Sequence, residues 1–560
     1  MAALSDDRSE EDRLAEAMKA GVAASYYNSA KVDRDPFLQR ARAMAALTIP
    51  YLFREEGANG SDQLIIPYNT IGAYCVSNLG SKVVFALFPP GRPNFKAEQD
   101  KATSLDLLQL SPQEQATIKG IIRQGLSMLE QDTAAAIEED GDRARMFIAA
   151  LHLIVGGNHA FQFYDDSTIR GIPFSRYVTT RDAQGNLLRF AIEDLMDWET
   201  VPEDVRKGIT DAGLPPPSIS TKGRTPVRVY THGILLGGKW KLHQEVMGQV
   251  IKGSEATYAR DRLPYEFLVW NRLDEEDYGR SYAELYEGDF LTVEGLTKSI
   301  TDGAAAMARY FVLVAPAGMT DKRTIARARN GDVVSGREQD VSIPTAQGKS
   351  VDFQIASSQQ EAAIQRLGKA FLLFTAVQRQ GERVTAEEIR NATQELEDGL
   401  GGVYSQQVIT WQKPYIQTKV RLLQKNGRVT PVPERAVKIT VTAGLAALAR
   451  NAELSSLRTF SGILSEAFGP QSLAQFLKPE EYSSRVAAAL GIDAVGLIPT
   501  PEEIAEKAQQ EQQAMMMQQL APEALKQAGN YATSTNVAET NAAAKLATSS
   551  PAQAANPPAA

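Results

Sequence analysis

Apolar residues recur at helical spacing in two long stretches of the second half of the chain. One stretch contains Val293, Leu296, Ile300, Ala304, Met307 and Phe311, and the other contains Ile364, Leu367, Phe371 and Phe374. Steps of three and four place such residues on one face of a helix. Between the two stretches, residues 311–354 lose this period and contain short strand-like runs: FVLVAP, GDVVSG and VDFQ. The pattern therefore predicts two helices that flank a small strand-rich insertion.

A short loop is predicted directly after the second helix. Thr385 and Glu388 have the spacing of a capping box, so a third helix is predicted to begin there. The loop Val377–Val384 between the two helices carries Arg379, Glu382 and Arg383. From the residues alone, an ordinary solvated loop explains these charges best.

The third helix is predicted to be long and kinked. Its apolar side is formed by Ile389, Leu396, Leu400 and Val403. Gly401, Gly402 and Pro414 interrupt it, because glycine and proline are poor residues for a helix interior. Gly427 is predicted to end this unit.

The first half of the chain mixes helices and sheet. Helices are predicted for the segment that begins at Asp35 and is closed by Pro50, and for Asn78–Phe88, Pro112–Glu130 and Arg143–Val155, the last ending at Gly156 and Gly157. From Phe161 to Glu266, alternating segments such as TPVRVYTHGIL and WKLHQEV predict antiparallel sheet. A strand at Ala436–Thr442 and helices over residues 443–491 are predicted further on. The predicted fold class is mainly α with an α+β portion.

Both ends of the chain differ from the rest. Residues 1–25 are polar and acidic, which predicts a flexible arm, and residues 502–560 are rich in Ala, Gln and Met, which predicts a disordered tail. No signal peptide and no apolar run of about 18 residues is evident, so membrane insertion is not expected. Cys75 is the only cysteine, so no intrachain disulfide can form and the cytoplasm is the expected site of folding.

The charge balance limits the kind of DNA contact. With 59 Lys and Arg against 68 Asp and Glu, the net charge is −9. Phosphate contacts from Lys and Arg supply most non-specific DNA affinity, so tight static binding is not expected. An acidic wall with a few basic contacts suits a conduit better.

Motifs for catalysis are absent or defective. The segment IPTAQGKS ends like a phosphate-binding loop but has Ile343 where the first glycine belongs, and VDFQI after it alternates like a strand rather than a helix. The four histidines, His152, His159, His232 and His243, lack zinc spacing and are predicted to be packed or solvated. Neither a catalytic residue nor a metal or other cofactor is expected.

Basic residues crowd one part of the strand-rich insertion. Lys322, Arg323, Arg327 and Arg329 lie within eight residues without an intervening acid. They could receive an acidic partner or touch DNA phosphate, or they could be an ordinary solvated turn.

Several short sequence segments of the chain resemble those of one protein family. They are GERVTAEEIR, ELEDGLGGVYS, ALFPP, RDAQGN, YGRSY and GDVVSGREQDVS. In the sequence and order of these segments, from about Tyr26 to about Pro501, the chain resembles the head-to-tail connector (portal) proteins of short-tailed, T7-like podoviruses that infect bacteria. None of these segments is a catalytic signature.

The resemblance implies a portal-protein fold of wing, stem helices, clip, tunnel loop and crown, assembling as a cyclic ring. The implied parts are an arm (1–25), helical and α/β wing (26–287), first stem helix (288–310), clip (311–355), second stem helix (356–376), tunnel loop (377–384), long kinked wing helix (385–427), crown (428–501) and tail (502–560).

The resemblance also implies a function without catalysis. A ring, twelvefold in the family, would sit at one capsid vertex of the virion after assembly in the host cytoplasm. Double-stranded DNA would be packaged through it by the terminase large subunit and later ejected. Other implied partners are the major capsid and scaffolding proteins, internal core proteins, and tail adaptor and tail tube proteins, but no membrane. Another structural ring, such as a tail adaptor, or an NTP-dependent DNA motor remain as alternatives.

Site residues follow from the family positions. Arg379, Glu382 and Arg383 would form the DNA-channel loop, and Lys322, Arg323, Arg327 and Arg329 the docking surface of the clip. Arg366 and Lys369 are candidates for the channel-lining helix, although they could equally pair with a neighbouring subunit.

Overall fold

The computed structural model describes residues 16, 18–55, 63–90, 93, 95–99, 112–211, 226–307, 313–329, 331–342, 350–373, 396, 398–429, 437–440, 447–469, 482, 483 and 486. It contains two compact units, residues Met1–Asn451 and Ala452–Ala560.

Helices outweigh strands in the described part of the first unit. They are α1 (Val22–Leu47), α2 (Ile71–Leu87), α3 (Pro112–Glu139), α4 (Asp142–Gly156), α5 (Glu203–Asp211), α6 (Glu287–Met307), α7 (Lys322–Arg327), α8 (Ser350–Ala370), α9 (Gly402–Gln407) and α10 (Lys413–Lys425). Helix α11 (Ala447–Phe468) follows them. Short 3₁₀ turns occupy Phe174–Arg176, Trp198–Thr200, Ala283–Tyr286 and Glu338–Asp340. The predominance of helix confirms the predicted fold class.

The predicted end of α4 is confirmed, whereas the start of α1 is not. Gly157 has a φ of 72° and donates its N–H to Leu153, which is a glycine-terminated helix. Helix α1 begins at Val22, well before the predicted Asp35, because the buried Glu245 carboxylate accepts the N–H groups of Gly21 and Ala23. A carboxylate at a helix N-terminus is favourable, but its source lies more than 200 residues away in sequence.

Antiparallel sheets occupy the predicted region. A six-stranded sheet contains β4 (Tyr177–Arg181), β5 (Leu187–Asp197), β6 (Pro226–Leu236), β7 (Lys239–Val246) and β8 (Gln249–Val250) in that order, with β9 (Ala256–Ala259) also pairing β7. A three-stranded sheet has β2 (Asn158–Phe163) between β3 (Ile169–Ile172) and β10 (Tyr265–Val269). Strand β1 (Lys96–Gln99) pairs with β13 (Val437–Thr440), which confirms the strand predicted at Ala436–Thr442. One large apolar core, including the buried Trp270 and Trp411, joins the helices to these sheets.

The insertion between α6 and α8 contains less strand than predicted. Only Leu313–Val314 (β11) and Val341–Ser342 (β12) pair among its described residues, while GDVVSG at residues 331–336 is irregular. The strand prediction for VDFQ is wrong, because Val351 lies in the first turn of α8. Phe353 packs against Gly303 of α6, and this tertiary contact favours a helix where a short alternating run leaves the choice open.

The predicted interruptions of the third helix are present. Gly401 has φ 57° and ψ −136°, outside helical values, and Val408–Gln412 forms a π-helical segment just before Pro414. Helix α10 ends at Lys425, and Gly427 follows with a φ of 68°. Within the described part of the chain, no helix is both long and apolar enough to cross a membrane.

Candidate channel and docking sites

Helices α6 and α8 form an antiparallel pair. Gly303 lies beside Phe353, and the Gln360 amide donates to the Thr297 hydroxyl at 2.7 Å. Arg366 then reaches Asp289 at the start of α6. As the position along α8 increases, the partner on α6 moves toward its N-terminus. The two predicted helices therefore pack against each other as an antiparallel hairpin, with the insertion between them in sequence.

The channel-helix candidates have different surroundings. The Arg366 guanidinium contacts Asp289 Oδ1 through Nε at 3.0 Å and Nη2 at 2.5 Å, and this hydrogen bond raises the pKa of Arg366. Arg366 therefore has an acidic partner within its own chain, whereas the predicted alternative was a salt bridge to a neighbouring subunit. Lys369 is exposed one turn further along α8.

The residues predicted for the channel loop, Arg379, Glu382 and Arg383, lie outside the described residues. What the structure does describe is the end of α8 that precedes them. Phe371 is fully buried there and contacts the rings of Tyr282, Tyr286 and Phe290. This aromatic cluster holds α8 against the start of α6.

The docking candidates lie around helix α7. Lys322, Arg323, Arg327 and Arg329 are all exposed, and within the described part of the chain none of their side chains forms an ion pair. Asp321 caps the helix by accepting the N–H of Arg323, and Asp332 accepts the N–H of Arg329 at 2.6 Å. Acids therefore flank the basic cluster although none interrupts it. The local structure is a short capped helix rather than a strand.

Sequence reasoning missed a buried polar cluster that joins the turn between α3 and α4 to α10. Lys419 Nζ contacts Asp140 Oδ2 at 2.6 Å, Asp142 Oδ2 at 2.7 Å and the Ser167 carbonyl at 2.8 Å. Tyr415 donates its hydroxyl to Asp142 at 2.7 Å. Burial alone would raise the pKa of Asp140, but hydrogen bonds from Lys419 and other donors outweigh it and lower that pKa. The pattern of an amphipathic helix gives no sign that its lysine points inward.

The four histidines are buried, as packed histidines should be. The rings of His152 and His159 stack with centroids 4.9 Å apart, even though Gly156 and Gly157 end the helix between them. Burial lowers the pKa of His152 to about 4 and that of His159 well below its usual value. His232 and His243 meet edge to face at 5.0 Å. In the described part of the chain, no group of three metal-binding side chains comes together.

Part of the case against a phosphate-binding loop is overturned. Helix α8 begins at Ser350, so a helix does follow Gly348 and Lys349. Residues 343–349 themselves lie outside the described range. The substitution of Ile343 for the first glycine of the motif stands.

Comparison with known proteins gives consistent matches over most of the chain. The family described as bacteriophage head to tail connecting protein matches residues 20–498. The portal protein of Escherichia phage T7 is 35% identical over 502 residues, covering 88% of this chain and 91% of that protein. The portal protein of Enterobacteria phage T3 is 34% identical over 556 residues, covering 95% and 99%. That of Enterobacteria phage SP6 is 30% identical over 502 residues, covering 87% and 92%.

A solved structure of the neck of an empty gene transfer agent particle, computed with C6 symmetry, matches more distantly. It covers 76% of this chain and 90% of its own at 12% identity and a TM-score of 0.33, which supports no conclusion about fold. The family match and the phage relatives identify the family, and they confirm the resemblance seen in the sequence. The chain belongs to the bacteriophage head to tail connecting protein family, whose members are components of the virion.

Proposed function

We propose that the chain is the portal subunit of a short-tailed phage. Twelve copies would form a ring at one capsid vertex, through which double-stranded DNA enters during packaging and leaves at ejection. The observation that carries this proposal is the antiparallel hairpin of α6 and α8 in a chain of the head to tail connecting family. A hairpin repeated around a ring axis would give the ring a wall of helices.

The hairpin would line the channel, and its charges suit a surface along which DNA slides. Asp289 partly neutralises Arg366, whereas Lys369 is exposed beyond it. Arg379 and Arg383 follow in sequence, and Glu382 lies beside them. Each arginine would contribute a weak phosphate contact that breaks quickly, while many copies around one duplex would still guide it.

The exposed basic cluster around α7 would be the docking surface for acidic partners. Lys322, Arg323, Arg327 and Arg329 lie on the insertion at the far end of the hairpin from Lys369. The terminase large subunit would dock there during packaging, and the tail adaptor and tail tube proteins afterwards. The major capsid, scaffolding and internal core proteins would contact other surfaces of the ring.

Ring formation is the direct test of the proposal. The purified chain should form closed rings with an axial hole in negative-stain images, and mass photometry should give one large species. Monomers or dimers alone, across several salt concentrations, would contradict it. To separate a portal from a tail adaptor, the chain should be sought in heads isolated before DNA enters. Its presence there supports a portal, and its absence until packaging is complete supports an adaptor.

The motor alternative requires ATP turnover by the ring itself. Since α8 begins directly after Gly348 and Lys349, this alternative keeps one local feature of a phosphate loop. We expect the purified ring to hydrolyse no ATP, because Ile343 replaces the first glycine. Turnover that persists after repurification and disappears in Lys349→Ala would favour the motor.

A further inference from the structure

Two residues after the end of α8, a leucine adopts the left-handed conformation. Leu372 has a φ of 56°, a region in which most residues other than glycine are strained. Leu373 donates its N–H to the Gly368 carbonyl at 2.8 Å, and Leu372 donates to the Lys369 carbonyl at 3.2 Å. These two bonds define a Schellman ending, in which glycine is the usual residue at the left-handed position. A leucine at this position needs support from its surroundings.

Three side chains from other elements supply that support. The Tyr282 hydroxyl donates to the Ala370 carbonyl at 2.9 Å. The Asn78 amide donates to the carbonyls of Phe371 at 3.0 Å and Leu372 at 3.1 Å. Lys82 Nζ donates to the Leu372 carbonyl at 2.7 Å, and this lysine is only 5% exposed. An ammonium group is favourable at the negative end of a helix, but burying one at a helix end is unusual.

The same leucine also contacts the chain on the other side of the predicted loop. A Cβ placed on Gly399 would lie 2.9 Å from Leu372 Cδ2, so glycine lets the chain pass this leucine side chain without displacing it. Leu372 and Gly399 belong to the described segments that precede and follow residues 374–395. The described segments on the two sides of that interval therefore contact each other at Leu372.

We propose that Asn78 and Lys82 are positioning residues for the end of α8, the helix that precedes the predicted channel loop Val377–Val384 in sequence. By holding Leu372 in its left-handed conformation, they fix where the chain leaves α8. Strained backbone that is maintained by several independent contacts is typical of functional sites. This inference rests on the proposed function, since it assigns the loop a place in the channel. It adds two residues of α2 that would never touch DNA.

The test compares Lys82→Met with Lys207→Met in assembled rings. Met keeps the length of the lysine stem and removes the donor, and Lys207 is an exposed lysine whose side chain is 70% accessible. Amide hydrogen exchange at Leu372 and Leu373 should become about tenfold faster or more in Lys82→Met, because a charge-assisted hydrogen bond is lost. Heads built with this variant should also retain less packaged DNA than heads built with Lys207→Met.

Each outcome decides the inference. Unchanged exchange at Leu372 and Leu373 would overturn it, whatever happens to the DNA. Faster exchange with normal DNA retention would also overturn the positioning role, whereas the proposed function is tested separately by ring formation and by the loop arginines. Should Lys82→Met yield no rings, Asn78→Ala is used with the same two readouts, because Asn78 is only partly buried and its loss removes two of the bonds to α8.

Discussion

Lys419 and Asp142 form an ion pair at 2.7 Å although neither side chain is exposed to solvent. Asp142 lies in the first turn of α4, and Lys419 lies in α10. The pair therefore ties α10 to α4, two helices that are far apart in the sequence. Buried ions need full hydrogen bonding, and here Asp140, Ser167 and Tyr415 complete it.

Replacing Lys419 with methionine should strongly destabilise the subunit. The change leaves Asp142 and Asp140 without their shared cation, and breaking a buried pair from one side typically costs about 3–5 kcal/mol. Urea or thermal unfolding of the purified chain measures the effect. Lys425→Met on the same helix is the matched control, because the Lys425–Asp165 pair is exposed and should contribute no more than about 1 kcal/mol. Equal losses of unfolding free energy in both variants would show that the buried cluster stabilises the fold no more than the exposed pair does.

Sequence reasoning succeeded where one local signal decides the structure and failed where distant residues decide it. Gly156 and Gly157 end α4 as predicted, because glycine itself favours the left-handed ending. The early start of α1 depends on Glu245 from β7, and the ending of α8 depends on Lys82 from α2. The alternation in VDFQI is compatible with a strand or a helix, and the contact of Phe353 with Gly303 favours the helix. The same holds for the site, because the positions of Arg366 and Lys369 follow from helical period whereas the partner of Arg366 does not.

Acidic pH should destabilise the fold through the buried histidines. Burial lowers the pKa of His152 from 6.5 to about 4, so in this range the unfolded chain binds more protons than the folded one. Stability is therefore full above about pH 6.5 and decreases as the pH falls toward 4. The contribution of His152 alone is roughly 2 kcal/mol at pH 5. Burial raises the pKa of Glu266 well above its usual value, so protonation of that carboxyl acts in the opposite direction.

The histidine contribution can be isolated with His152→Gln. This variant cannot titrate, so its free energy of unfolding should fall less between pH 7 and pH 5 than that of the wild type. The informative quantity is the slope of the unfolding free energy against pH in each protein. The loss of packing against Phe53 and His159 lowers the stability of the variant at both pH values and so leaves this slope unaffected. Parallel slopes for the two proteins would exclude His152 as a source of the pH dependence.

Charge reversal at the basic cluster around α7 should affect docking and leave the ring intact. Changing Lys322, Arg323, Arg327 and Arg329 to glutamate alters exposed side chains without ion partners in the described part of the chain, so we expect only a small change in stability. Binding of the terminase large subunit or tail adaptor in a pull-down should decrease strongly, because like charges would then face each other. Reversal of Lys239 and Lys241, exposed or half-exposed lysines on β7, is the control. Unchanged binding would leave the cluster as a solvated surface.

The loop arginines should matter for DNA and not for folding. If Arg379 and Arg383 face the lumen, their many copies around one duplex add up to a contact that is strong in total yet quick to break. Changing both to alanine should leave ring formation intact and stability within about 0.5 kcal/mol, as is usual for exposed loop substitutions. Heads built with the variant should package less DNA or lose it faster, and the genome content per head measures this. Asp6→Ala with Asp7→Ala in the acidic N-terminal arm is the matched pair that should behave like the wild type. Equal DNA content and equal retention in all three preparations would remove the arginines from the mechanism and leave the loop as a steric constriction at most.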